Sequence, residues 1–312
     1  MTFRLLYTSL LTLSVVLFST SSFAAQRHKP FYLADIHGSN MAKVANEVKS
    51  RLTKEGFDVI GNYRPSRKTQ VIVFTNDSLK KMVKRNKNAA YLAGLRVAIT
   101  NTSPAIQVSY TNPLYFGYAY RIKEDLSGLD GKLVNALGRK RTFGSRRGLT
   151  KQKLFRYHYA FGMEYFDDHL NIRKFSNHQD AIKTIEQGFK EGRGETKKVY
   201  RIDIPGKDIT IYGVSILAGA GADTVLMNLI DHYKLKHTAH FPYEMIVYKG
   251  VVEALHPRFR IALAYPDTRM AGEGSFMTIM TAPDAMNAAL VRLAGGIPSE
   301  SGDDNWGTED GY

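Results

Sequence analysis

The stretch SNMAKVANEVKSRLTKEGFDVIGNY, residues 39–63, decides the fold class. Ser39 and Asn40 are residues that cap a helix N-terminus. Met41, Val44, Val48 and Leu52 then recur at three- and four-residue spacing, which places them on one helical face. Gly56 supplies the left-handed stop. FDVIGNY reads as a strand, and KTQVIVFTN (68–76) as a β-branched strand ending in the turn residues Asn76 and Asp77. SLKKMVKRN (78–86) reads as a short basic helix. GLRVAITN and AIQVSY are two strands joined at Ser103–Pro104, and LSGLDGKLVNALG is a further helix.

The same order returns downstream. Ser176 and Asn177 precede the helix pattern HQDAIKTIEQGFKEG. KVYRIDI and ITIYGVSI read as strands, and GADTVLMNLIDHYK as a helix starting near Asp223. YEMIVYKG and RFRIALAYPD parallel the strands GLRVAITN and IQVSYTNP, and PDAMNAALVRLAG parallels LDGKLVNALG. A helix, several strands and a closing helix in each half predict an α+β fold. Each unit is an antiparallel sheet with helices on one face. The expected division is 1–24 signal peptide, 25–137 first unit, 138–156 basic linker, 157–296 second unit and 297–312 acidic, disordered tail. Paired units of this kind form a ligand cleft between them.

Charge and composition narrow the partners. The chain of 312 residues carries a formal net charge of +14 and has no cysteine. That excludes disulfides, thiol catalysis, Cys-ligated zinc, iron–sulfur clusters and c-type haem attachment. Residues 121–156 hold eleven Lys/Arg against three acids. Arg139, Lys140, Arg141, Arg146 and Arg147 concentrate this charge in GRKRTFGSRRGLTKQ (138–152), a surface suited to an anionic partner. The tail carries Glu300, Asp303, Asp304, Glu309 and Asp310, and the single tryptophan, Trp306. At the start, Leu5–Phe18 is an apolar run closed by small polar residues, with Ser22 and Ala24 at the positions a signal peptidase reads. It is shorter than the ~20 residues that span a bilayer. Export to the periplasm with cleavage after Ala24 is expected. There the anions are lipid headgroups, lipopolysaccharide or cell-wall polymers, with possible peripheral membrane contact. Nucleic acid is not expected.

TQVIVFTNDSLKKMV (69–83), YLAGLRVAITN (91–101) and QVSYTNP (107–113) resemble the bacterial and archaeal domain-of-unknown-function 302 family, also called TT-1751-like. The positions that carry the resemblance are Asn76, Leu92, Tyr110 and Pro113. FPYEMIVYKG and RFRIALAYPD resemble the same strand pair in a second copy. The resemblance implies a TATA-binding-protein-like α+β fold for each of two tandem units and implies no reaction. Thr75 stands where the commoner family pattern has a cysteine.

Several side chains suggest chemistry. HTAHFPYE places His237, His240 and Glu244 within reach of one divalent metal, with Glu253 and His256 farther along. The same pattern also suits a loop with surface histidines. EYFDDHL offers Glu164, Asp167, Asp168 and His169 for a cation, or simply a turn. MAGEGSFM (270–277) and GAGAD (219–223) place glycines ahead of helices, where backbone N–H groups attract anions, but neither completes a phosphate-binding motif. YFGYAY (115–120) and FRYHYAFGMEYF (155–166) alternate aromatics, as a half-buried strand does and as a haem pocket does. Three readings remain open. One is a non-enzymatic periplasmic protein binding a small or anionic ligand between the units. The second is a metal- or haem-dependent enzyme using the His-X-X-His cluster. The third is a structural, envelope-associated protein held by its basic loop.

Overall fold

The computed structural model describes residues 25–299. Residues 1–24, where the export signal is expected, and 300–312, most of the acidic tail, lie outside them. After the short strand β1 (Arg27–His28), the first half runs β2 (Phe31–Leu33), α1 (Met41–Lys54), β3 (Asp58–Ser66), β4 (Thr69–Thr75), α2 (Asp77–Arg85), β5 (Leu95–Asn101), β6 (Ile106–Thr111), α3 (Pro113–Ala119) and α4 (Ser127–Leu137). A connecting segment holds β7 (Arg141–Phe143), β8 (Leu149–Thr150) and α5 (Lys151–Phe155). The second half runs β9 (His169–Lys174), α6 (His178–Glu191), β10 (Thr196–Asp203), β11 (Ile209–Ile216), α7 (Asp223–Ile230), β12 (Tyr243–Tyr248), β13 (Val251–Leu255), α8 (Pro257–Ala264) and α9 (Ala282–Leu293). The fold is α+β.

The sheets have matching strand orders, β3-β4-β5-β6-β2-β7 and β10-β11-β12-β13-β9, with every described pairing antiparallel. Local chemistry sets the matching starts. The Asn40 side chain accepts from the Ala42 and Lys43 amides at 2.9 and 3.0 Å. The Asn177 side chain accepts from the Asp180 amide at 2.9 Å. These bonds satisfy N–H groups that a helix leaves open. α1 buries Val44, Val48 and Leu52 against its sheet, and α6 buries Ala181, Ile182 and Ile185.

Three local expectations are corrected. RFRIALAYPD is not a strand. Pro257 occupies the first turn and His256 caps it, so the segment forms α8, and VVEAL supplies the strand β13. YFGYAY is helical for the same reason. Asn112 caps α3 through the Leu114 and Tyr115 amides, and Pro113 pre-sets the first turn. The aromatics of 156–166 lie outside any strand. In both halves a cap-plus-proline pair outweighs aromatic alternation.

Each sheet has helices on one face and the other half of the molecule on the opposite face. In the first sheet Ile72, Val97 and Tyr110 share the helix side. Val73, Arg96, Ala98 and Ser109 share the other. Across the junction Thr100 bonds Thr238 at 2.7 Å, and the Gln107 side chain donates to the Lys236 carbonyl at 2.7 Å. Lys87 and Tyr91 donate to Glu253 at 2.8 and 3.2 Å. Tyr200 enters a slot made by three glycines. A β-carbon at Gly94 would lie 2.7 Å from its hydroxyl, one at Gly61 3.2 Å from its β-carbon, and one at Gly213 would collide with its ring. The strands fill both faces, and one continuous hydrophobic core spans the two halves.

Candidate functional site

The connecting segment builds one wall of an open, concave surface. β7 adds to the first sheet by pairing with β2, β8 pairs with β1, and α5 packs on α3. These contacts occupy the backbone and leave the basic side chains in solvent. Between β7 and β8 the turn 144–148 is tied to the second half by Asp267, which follows α8. Asp267 accepts from the Arg146 amide and, at 3.2 Å, from the Ser145 hydroxyl. The Ser145 oxygen in turn accepts from the Gly148 amide at 3.1 Å. Gly148 has φ +67° and lies too close to the His28 carbonyl for a side chain. Tyr157 anchors the far side by donating to the Ala262 carbonyl at 2.8 Å.

The resulting cleft measures about 1390 Å³. Its walls carry Arg27, Arg146, Arg147, Lys151, Lys153 and Arg156, with Asp267 as the one acid. Phe155, Tyr157 and Tyr159 supply aromatic surface. Arg146 is 91% exposed at its side chain and stands 3.8 Å from Asp267. Lys151 lies 4.9 Å from the centre of the Tyr118 ring. Like charges gathered at an open cleft repel one another and attract a multivalent anion, whose binding relieves that repulsion. Asp267 also lines a smaller neighbouring cleft of about 460 Å³ with Tyr233, Arg269 and Glu273.

The five bases singled out by sequence do not form one site. Arg146 and Arg147 line the cleft. Arg139 pairs with Asp130 at 3.1 Å and covers the Tyr32 ring, while the Lys140 amide and Arg141 extend the first sheet beside Leu33. Arg27, Lys151, Lys153 and Arg156 were not singled out. The last three belong to the dense basic stretch 121–156, but the β1–β8 pairing that brings Arg27 to the cleft has no local signature.

The proposed metal ligands have other tasks. His237 is 1% exposed, so neither it nor His240, at 3%, is a surface histidine. His237 Nδ1 meets the Ala264 carbonyl at 3.0 Å, and its ring stacks between Tyr233 and Tyr265 at 4.6 and 4.7 Å. It therefore caps the C-terminal end of α8, as Tyr157 and Tyr115 do at the Ala262 and Leu263 carbonyls. Burial pushes its pKa down to about 3, so it is neutral. His240 Nδ1 meets the His237 carbonyl at 3.0 Å. Burial, and then the Arg260 charge, holds its pKa well below the usual value. Glu244 is taken by two arginines: Arg260 donates to it at 3.1 Å, and Arg96 pairs with its other oxygen. Among the described residues no group of three or more His, Cys, Asp or Glu converges to hold a metal ion.

The remaining candidates are similarly committed. Glu164 receives Arg258 at 2.9 Å, and Arg121 pairs with Asp167 at 2.6 Å. The Asp168 side chain accepts from the Tyr165 amide at 2.8 Å, which makes the turn, and His169 begins β9. Ser275 is fully buried ahead of a short 3-10 turn. No family model, curated protein or solved structure matches this chain.

Proposed function

We propose that this protein is a non-enzymatic binding protein for a small polyanionic ligand, held where the connecting segment meets the end of α8. One observation carries the reading: six bases and one acid line a single cleft of about 1390 Å³. The anchored turn 144–148 supports it, because a pre-positioned wall loses less entropy when ligand binds. In this reading the chain is exported, begins at Ala25 and meets its anion in the periplasm. Its halves are tandem copies of the fold of the domain-of-unknown-function 302 family. The metal- or haem-enzyme reading draws no support from the geometry, since His237 caps α8, His240 meets the His237 carbonyl and Glu244 neutralises two arginines.

The test is titration with inorganic tripolyphosphate at low and high salt. Changing Arg146, Arg147 and Lys153 together to Gln should weaken binding by more than about tenfold and flatten its salt dependence. Changing Arg139, Lys140 and Arg141 to Gln removes equal charge outside the cleft and should retain most of the affinity. Equal losses from the two triple variants would reduce the effect to net charge and reject the cleft.

A further inference from the structure

Beside the basic cleft stands a group of apolar side chains that the fold leaves in water. Met270, Met277 and Met280 are 49%, 59% and 67% exposed, and Phe161 is fully exposed. The Met277 amide donates to the Met270 carbonyl at 3.1 Å, and the Met280 amide to the Met277 carbonyl at 3.4 Å, so the three methionines project from one compact loop. That loop is joined to the cleft. Tyr159, which lines the cleft, packs edge-on against Phe276 at 4.7 Å and donates to the Thr268 carbonyl. Phe161 lies two residues farther along. From Arg269 to Met280 the only acid is Glu273.

We propose that this face docks on an anionic lipid bilayer, with the methionines and Phe161 entering the interface and the cleft taking phosphate headgroups. The inference rests on the anion-cleft reading and names its partner. Charge complementarity selects the occupant: a bilayer with acidic headgroups offers negative charge beside apolar depth, the same pairing this face presents. The shape agrees. The apolar groups stand exposed on a loop and a short 3-10 turn, whereas a protein partner is gripped by aromatic and arginine anchors seated in pockets. Methionine is unbranched and adaptable, which suits insertion among mobile acyl chains.

The test uses the chain from Ala25 onward, so that the apolar run 5–18 cannot itself partition. It should sediment with vesicles of mixed phosphatidylglycerol and phosphatidylcholine at low salt and not with phosphatidylcholine alone. Combining Met277→Gln with Met280→Gln, both at exposed positions and without change of charge, should lower vesicle partition by about tenfold or more. The same variant should keep the wild-type affinity for tripolyphosphate. Vesicle binding unaffected by these substitutions would overturn the proposal. A wild-type chain that takes tripolyphosphate but ignores anionic vesicles would also overturn it while leaving the anion cleft standing. Indifference to both ligands would remove both readings. A lipid-independent dimer broken by the same substitutions would assign the patch to a second copy of the chain and likewise reject the membrane.

Discussion

The two halves follow the same course of elements, yet they place opposite charges at the same point. Arg96 is the second residue of β5, and Glu244 is the second residue of β12. Each strand is third in its sheet. The two side chains meet across the junction. Contact between equivalent positions is what an approximate two-fold relation produces. A dimer of identical chains would bring Arg against Arg or Glu against Glu there, buried and repelling. A single chain carrying both halves is free to make the pair unlike. The neighbouring positions diverge in the same complementary way. Gly61 faces Val73 in the first sheet, and at the matching place in the second Tyr200 faces Gly213. One half supplies the ring and both supply the space for it.

The largest expected effect breaks the charge asymmetry. Glu244→Gln leaves Arg96 and Arg260 buried without their shared counter-charge, and should cost about 3–5 kcal/mol in chemical denaturation. Arg96→Met should cost less, because Glu244 then still neutralises Arg260. Equal costs would mean that packing, not charge, sets the junction.

A smaller effect tests the steric half of the comparison. Gly213→Ala drives a methyl group into the buried Tyr200 ring and should cost about 1–3 kcal/mol. Gly131→Ala in α4, where a β-carbon meets nothing within 4 Å, should instead stabilise by about 0.5–1 kcal/mol. A neutral Gly213→Ala in thermal melts would show that the slot has room to spare.

The third effect is visible only against pH. α2 ends on Asn86, while α7 ends on Asp231. Burial raises the Asp231 pKa from 3.8 to about 7. Between those values the unfolded chain has released a proton that the folded chain still holds, so rising pH costs stability. Asp231→Asn makes the second half resemble the first and removes that titration. Its stability relative to wild type should therefore climb from pH 4 to pH 7, by up to about 1.4 kcal/mol per unit. His237, with its pKa lowered, contributes the opposite slope: stability is lost as pH falls from 6.5 toward 3. It does so in both proteins and cancels in the difference. A difference that stays flat with pH would contradict a carboxyl protonated by burial.

What the sequence determined by itself was local and periodic. Asn40 and Asn177 start α1 and α6 because a side-chain oxygen reaches amides two or three residues ahead, whatever surrounds it. The β-branched run of β4 and the apolar spacing of α1 report burial through neighbours in the chain. RFRIALAYPD carried its own correction, since His256 and Pro257 mark a helix start that its apolar content disguised as a strand. The short strands β2 and β9 had no such marker, being held mainly by pairing with β6 and β13. Tertiary structure alone decided the fate of the charged and titratable groups. Glu244 stands four residues from His240 in sequence, which suggested a metal, but the third sheet position set it against Arg96, 148 residues away. His237 met the carbonyl end of α8, and Arg27 met the cleft through β1–β8 pairing. Hydrogen-bond caps act over a few residues of chain. Charge and burial act through space, and their partners are chosen only when distant strands take their register.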